Sequence, residues 1–309
     1  LDWAKNLDFP LTVVGEDVED ASGLDYLFWV GCAGAYDEKA KKTTAAVAEL
    51  LHVAGVSFGV LGSQEGCTGD PARRAGNEVL FQMLAAASIE TLNEVKAKRI
   101  VVTCAHCFNS MLNEFPQLGG TYEIIHHTQL LNTLLRDGLL KPVPPEEKER
   151  RRITYHDPCF LGRYNDIYEA PRELLDGIPE LELVEMKQSK SLAMCCGAGG
   201  AHAWFDESPQ GPRIASVRME QVQATGATTV ATACPYCTQM LGSSPTSVLS
   251  SSTGVVSSPT GALGEAGGDG QTPGSETRAT GVRDIEVKDV AILLLEGVRR
   301  GQQGNHPRR

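Results

Sequence analysis

Nine cysteines carry the chemistry that can be read from this chain, and they repeat. The first set is Cys32, Cys67 and the pair in Cys104-Ala105-His106-Cys107. The second is Cys159, the adjacent Cys195 and Cys196, and the pair in Cys234-Pro235-Tyr236-Cys237. The spacing from the first cysteine to the middle one is 35 residues (32 to 67) and 37 residues (159 to 196). From there to the C-x-x-C it is 37 and 38 residues, and no cysteine lies outside the pattern. Thiols confined to repeated, clustered positions point to metal binding. An odd count, a long chain and C-x-x-C pairs flanked by helix-forming sequence argue against a secreted disulfide framework, and a reducing cytosol suits metal better.

Two cysteine chemistries remain open. Structural zinc is built from short knuckles around four ligands. The first set, two single cysteines and one pair, admits zinc or an iron–sulfur cluster. The second set has five thiols, more than one tetrahedral zinc can use, and favours a polynuclear cluster. A thioredoxin-like C-x-x-C would leave the other cysteines of each half idle. The run Cys196-Gly197-Ala198-Gly199-Gly200 lacks the full G-x-G-x-x-G spacing of a phosphate loop.

The elements that must position these ligands also repeat. Short apolar runs (26–30, 57–61, 99–103, 122–125) alternate with helical patterns (38–53, a long one after Pro71, one from the first C-x-x-C, and 127–136). The second half follows suit, with strands at 152–155, 181–185 and 228–232 and helices at 171–176 and 212–223. Continuous apolar strands between helices predict an α/β fold with parallel, buried sheets. The expected architecture is two pseudo-symmetric repeats, residues 24–141 and 152–298, joined by a polar linker at 142–151. Each ligand then falls at a strand end or helix start, at the carboxyl edge of a sheet where ligands gather. Helix N-termini there lower thiolate pKa and screen an anionic cluster. Glycines beside the ligands allow close approach and N–H donation to sulfur. Residues 242–281, rich in Ser, Gly and Thr, read as a disordered insertion. The pattern resumes at Ile285–Val298, predicted as the last strand and helix of the second repeat, with His127 aligned to Asp289.

At 309 residues the chain is long enough for two domains. Its net charge of −11 argues against a phosphate-backbone partner. The longest apolar run near the end, 290–295, is far short of a membrane span, and residues 1–10 show no signal peptide. The chain opens on Leu1, which suggests a piece of a longer protein.

The pattern C-x(n)-C-C-G-x(n)-C-x-x-C, twice over residues 24–298, resembles the cysteine-rich CCG domain. That domain occurs in heterodisulfide reductase and in the iron–sulfur subunits of glycolate oxidase, lactate utilisation and anaerobic glycerol-3-phosphate dehydrogenase systems. The stretches 28–34 (Phe-Trp-Val-Gly-Cys-Ala-Gly), 67–78 (Cys-Thr-Gly-Asp-Pro-Ala-Arg-Arg-Ala-Gly-Asn-Glu) and 156–163 (His-Asp-Pro-Cys-Phe-Leu-Gly-Arg) look closer to one branch. That branch is the cytosolic part of membrane Fe–S oxidoreductases of the electron-transfer-flavoprotein:menaquinone type.

The resemblance implies an oxidoreductase component that passes electrons between a flavoprotein and a membrane quinone module missing from this chain. Its place would be cytoplasmic, peripheral to the inner face of the membrane. It also implies a [4Fe–4S] cluster, cubane or non-cubane, on Cys159, Cys195, Cys196, Cys234 and Cys237. A second [4Fe–4S] cluster or zinc would sit on Cys32, Cys67, Cys104 and Cys107, with Gly66 standing where the first cysteine of the adjacent pair belongs. The alternatives within the resemblance are a component that reduces a disulfide, as in heterodisulfide reductase, and a glycolate, lactate or glycerol-3-phosphate oxidase Fe–S component. A zinc-stapled module without redox activity is the reading outside it.

Other residues carry plainer expectations. Asp157 is expected to cap the turn that follows it, and His156 to fill a strand end. Arg73, Arg74 and Arg163 are expected on solvated helix faces. His126 and His127 read as structural, with His127 near an N-cap. Trp29 and Trp204 read as core, and His202 stands as a candidate neighbour of the second site.

Overall fold

The computed structural model describes residues 1–146, 150–205, 211–243 and 284–304, so the insertion expected at 242–281 lies, from residue 244 on, outside the described residues. Nine strands form two wholly parallel sheets. The first comprises β1 (Thr12–Val13), β2 (Tyr26–Trp29), β3 (Phe58–Val60), β4 (Arg99–Val102) and β5 (Glu123–His126), in the order β1-β3-β2-β4-β5. The second comprises β6 (Arg151–Tyr155), β7 (Leu181–Leu183), β8 (Thr229–Thr232) and β9 (Glu286–Asp289), in the order β7-β6-β8-β9. With β1 set aside, the two orders superimpose strand for strand. Three or four consecutive residues of β2, β3, β4 and β8 are buried, as a parallel sheet covered on both faces requires.

The helices are α1 (Gly31–Tyr36), α2 (Glu38–Val53), α3 (Asp70–Arg74), α4 (Glu78–Glu94), α5 (Ala105–Asn109) and α6 (His127–Arg136) in the first half. In the second they are α7 (Glu169–Asp176), α8 (Ile214–Ala224), α9 (Pro235–Gly242) and α10 (Val290–Gly304). Local chemistry sets their starts. Asp37 accepts from Lys39 N and Ala40 N to begin α2, and His126 and Gln129 close a capping box on α6. The long helix expected after Pro71 divides into α3 and α4 around Gly76 (φ +83°), and Asn77 caps the second piece. The helix from the first C-x-x-C also departs from expectation: after α5 it widens into a π-helical turn, Ser110–Glu114.

The halves meet face to face through one continuous apolar core. Helix α2 packs on α10, and α6 packs on α7 and α10. By strand order α2 corresponds to α7 and α6 to α10, so the two cross-half pairings are copies of one another about a pseudo-two-fold axis. Registers refine the sequence alignment: Val102 pairs with His126 and Thr232 with Asp289. His126, not His127, therefore occupies the place of Asp289. Both end a strand, and both accept a backbone N–H two residues on, from Thr128 and Ala291 respectively. His127 instead reaches across the axis, its Nε2 lying 3.1 Å from Asp289 Oδ1, with both side chains buried. One carboxylate thus caps α10 and ties it to the start of α6.

Replacing Asp289 with Ala should remove the cap and strand His127, at a cost of about 2–4 kcal/mol. Asp289→Asn, which can still cap, should lose less than half of that. Urea unfolding of the two variants checks this, and an Ala variant within about 0.5 kcal/mol of wild type would show that the axis does not depend on this contact.

Candidate metal centres at the seam between the sheets

All nine cysteines lie at the carboxyl edges of the two sheets, and all are free thiols. In the first half Cys32 sits in the opening turn of α1, just past β2. Its backbone is held by Glu65, whose carboxylate accepts from Val30 N (2.9 Å) and Gly31 N (2.5 Å). Cys104 follows β4 as the N-cap of α5, and Cys107 lies one turn on. Cys67 precedes α3 and accepts from Gly69 N at 3.4 Å. The second half repeats the arrangement. Cys159 follows β6, Cys234 is the N-cap of α9 after β8, Cys237 lies one turn on, and Cys195 accepts from Gly197 N at 3.3 Å.

These matching contacts correct the reading of the incomplete first set. Cys67 touches Cys32 as Cys195 touches Cys159. The glycine two residues on is left-handed in both, Gly69 at φ +83° and Gly197 at φ +97°. Cys67-Thr68-Gly69 is thus the counterpart of Cys195-Cys196-Gly197. Thr68, and not Gly66, stands where a fifth cysteine belongs. Its hydroxyl donates to Cys107 Sγ at 3.6 Å, the contact that Cys196 makes with Cys237.

The thiols control one another's ionisation. A hydrogen bond from Cys67 lowers the pKa of Cys32 to about 6, and the same contact pushes Cys67 up. Cys159, and then Cys196, hold Cys195 well below the usual thiol range while both are themselves raised. Burial opposes ionisation of Cys234, but hydrogen bonds from Cys104 and Cys237 outweigh it and keep its pKa low. Every second thiol in these contacts is favoured as thiolate and its neighbour is held protonated, because adjacent buried anions repel. Cys104 and Cys234 touch across the pseudo-axis, so the contacts run from one half into the other.

Side chains from each half also complete the other's site. Tyr236, inside the second C-x-x-C, places its hydroxyl 3.6 Å from Cys32 Sγ. Its pseudo-equivalent His106 packs on Phe160 and on Tyr236 itself, and is held by buried Asp70 at 2.7 Å. Burial disfavours the imidazolium, yet the Asp70 hydrogen bond raises the His106 pKa overall. A cavity of about 540 Å³ opens beside Cys32, Cys67 and Glu65. Burial raises the Glu65 carboxyl to about 8 against its two backbone donors.

Several plain expectations need correction. Asp157 caps no following turn: it takes both ends of the Arg172 guanidinium (2.8 and 3.0 Å) and Lys190 N (2.8 Å), and Arg172 also pairs with Glu185. His156 is more than a strand-end filler, since a ring nitrogen lies within 4.8 Å of the Cys196 and Cys237 sulfurs and those two of one another. Arg73 and Arg74 do not lie on a solvated face. They are mostly buried, share Glu114 between them and stack on Phe81 and Phe160 respectively. Arg163 sits in a turn and donates to the Ala193 carbonyl. Trp29 is core, as expected, but Trp204 is 59% exposed. His202 is exposed, with no hydrogen bond to a thiol among the described residues.

The donor set fits a polynuclear cluster in the second half: five soft thiols in mutual contact, beside a buried guanidinium, that of Arg218, with no carboxylate paired to it among the described residues. The segment carrying Cys159 depends on the Asp157–Arg172 pair, whose side chains are 3% and 7% exposed. Arg172→Ala should leave a buried carboxylate unpaired and destabilise the protein by about 3–5 kcal/mol. Arg172→Lys, losing the two-pronged geometry, should fall between the two, and chemical denaturation reads the order.

Comparison with known proteins agrees with this geometry. The cysteine-rich domain (CCG) matches residues 26–112 and 153–242. The chain is 43% identical over 235 residues to the protein named "Probable iron-sulfur-binding oxidoreductase FadF" of Bacillus subtilis, covering 76% of this chain and 33% of that one. It is 40% identical over 229 residues to EtfAB:quinone oxidoreductase of Syntrophomonas wolfei, covering 72% and 32%. It is 32% identical over 238 residues to a component of the dihydromethanophenazine:CoB–CoM heterodisulfide reductase of Methanosarcina mazei, covering 75% and 56%. The chain thus spans about a third of the length of the first two relatives and about half of the third. With two matched copies and the same cysteine sites in both halves of the fold, the chain belongs to the cysteine-rich CCG domain family.

Proposed function

We propose that this chain is the iron–sulfur electron-transfer part of an oxidoreductase, taking electrons from a flavoprotein and delivering them to a membrane quinone module. The observation that carries the reading is the run of touching thiols from Cys159 through Cys195, Cys196, Cys237 and Cys234 to Cys104 and Cys107, which links both sites through the seam. A cluster bound there supplies reversible one-electron storage. Cys159, Cys195, Cys196, Cys234 and Cys237 would hold one in the second half. Cys32, Cys67, Cys104 and Cys107 would hold a second metal centre, with the Thr68 hydroxyl in the fifth position.

The protein's own part is to fix the thiols and exclude water. Cys104, Cys107, Cys196, Cys234 and Cys237 are buried, while Cys32, Cys67, Cys159 and Cys195 are partly accessible. Each site therefore has a wet outer edge and a dry inner one, and the inner edges meet. That arrangement suits a conduit: electrons enter at one exposed edge and leave at the other through a short, dry path. The flavoprotein and quinone partners are supported by the name of the EtfAB:quinone oxidoreductase relative and by the protein named "Probable membrane-anchored ferredoxin" of Chromohalobacter salexigens, 41% identical over 246 residues. Among the described residues no helix is long and apolar enough to cross a membrane, so this chain would need the remainder of such an assembly to reach a quinone.

Anaerobically purified protein should contain iron and acid-labile sulfide in equal amounts, near four or eight of each per chain, with an EPR signal that responds to dithionite. Cys237→Ser should abolish or alter the second-site signal. Zinc without sulfide would sink the electron-transfer reading and leave a zinc-stapled module.

A further inference from the structure

Arg218, on α8, is among the largest side chains in the molecule with no exposed surface. Among the described residues it forms no ion pair. Its Nε donates to His156 Nδ1 at 3.1 Å, and its Nη1 donates to Gln188 O at 2.9 Å and Gln221 Oε1 at 2.5 Å. Its Nη2 is buried with no acceptor. The carboxylate of Asp157, which acts on it from a distance, is engaged by Arg172. A buried cation without a counter-ion is costly, and a native protein keeps one only where a negative charge is supplied.

The orientation shows where that charge belongs. A guanidinium can only donate, so His156 Nδ1 is the accepting nitrogen and the ring proton resides on Nε2. Burial, and then Arg218, hold the His156 pKa down to about 4, which keeps the ring neutral. His156 in turn stands within 4.8 Å of Cys196 and Cys237. Arg218 and His156 therefore form a relay, a cation behind a neutral ring, directed at the inner edge of the five-cysteine site.

The first half has no such relay. Arg218 lies sixteen residues before Cys234, and sixteen residues before Cys104 is Ser88. Helices α4 and α8 end at the same distance from strands β4 and β8, so the two positions correspond. Ser88 is buried and donates to Cys67 O at 3.2 Å. The counterpart of His156, three residues before the first cysteine of its set, is Trp29.

We propose that Arg218, acting through His156, is the counter-charge of the second cysteine site, raising the reduction potential of a cluster held there above that of a matched cluster lacking it. The inference rests on the iron–sulfur reading above. Reduction adds one electron from an external donor and one negative charge, with no bond made or broken. A fixed cation nearby favours the reduced form. With the charge in one half only, the second site is the lower-energy resting place for an electron moving through the seam.

The test compares Arg218→Met, of similar length but uncharged, with Arg218→Lys in the full chain. In iron-loaded protein, an EPR-monitored redox titration reads the second-site signal, assigned by its change in Cys196→Ser. Arg218→Met should lower the equilibrium constant for reduction at least about tenfold, about 59 mV for a one-electron couple, while Arg218→Lys keeps most of the wild-type value. In metal-free protein, thermal melting should find Arg218→Met as stable as wild type or more so, because an uncompensated charge has been removed. A Met variant that takes up no iron while the Lys variant does supports the same role. A Met variant with wild-type potential overturns the proposal. So does a metal-free Met variant that melts well below wild type, which would make Arg218 a tether for Gln188 and Gln221. Wild-type protein that takes up no iron overturns the iron–sulfur reading itself, and that outcome is distinct because it appears before any variant is made.

Discussion

Repulsion between crowded thiolates is the constraint on which the rest of this structure depends. Two parallel sheets present their carboxyl edges to one another, and nine thiols meet in the seam. Buried and metal-free, such thiols cannot all ionise, and Cys32, Cys195 and Cys234 are favoured as thiolates only because neighbours stay protonated. A polycationic group relieves that conflict at once, because it binds the deprotonated form of every ligand. The surrounding fold acts as a clamp that holds the conflict in place. The Asp157–Arg172 pair fixes the strand end before Cys159, the Glu65 carboxylate holds the start of α1, and the Asp289–His127 contact locks the axis.

Pseudo-symmetry explains how one short unit serves twice, and the departures from it carry the specialisation. The strand order, the C-x-x-C helices and the left-handed glycines are shared. Three substitutions break the match: Thr68 for Cys196, Ser88 for Arg218 and Trp29 for His156. The first removes a ligand and the other two remove a charge relay, all from the same half. The exchanged contacts, Tyr236 on Cys32 and His106 on Phe160, mean that neither half holds its site alone.

Much of this was legible in the sequence because its signals are local. Apolar strand runs, the C-x-x-C spacing and the return of the pattern at 285–298 each depend on a few neighbouring residues. What escaped is what depends on the third dimension. Gly66 and Thr68 are equally good partners for a cysteine pair on spacing alone, and only the contacts of Cys67 with Cys32 and of Thr68 with Cys107 choose between them. Arg218 lies on a helix whose sequence shows no strong apolar stripe, so nothing marked it as the buried face. Asp157 looked like a cap because Asp-Pro commonly starts a turn, whereas its true partners, Arg172 and Lys190, come from later in the chain. Trp204 looked like core by residue type alone, yet it lies on the surface against the edge of Tyr236.

The position of β9 and α10 has a consequence for biogenesis. A growing chain that has reached Gly242 already contains all nine cysteines, both C-x-x-C helices and seven of the eight repeated strands. It still lacks the strand that flanks β8 and the helix that covers α2. Until residues 284–304 follow, the apolar face of α2 is uncovered and the seam has no closing wall. The thiols are thus gathered before the compartment around them is sealed, and that interval is the natural one for loading the metal. Synthesis order and topology together make the last-made segment the door of the site.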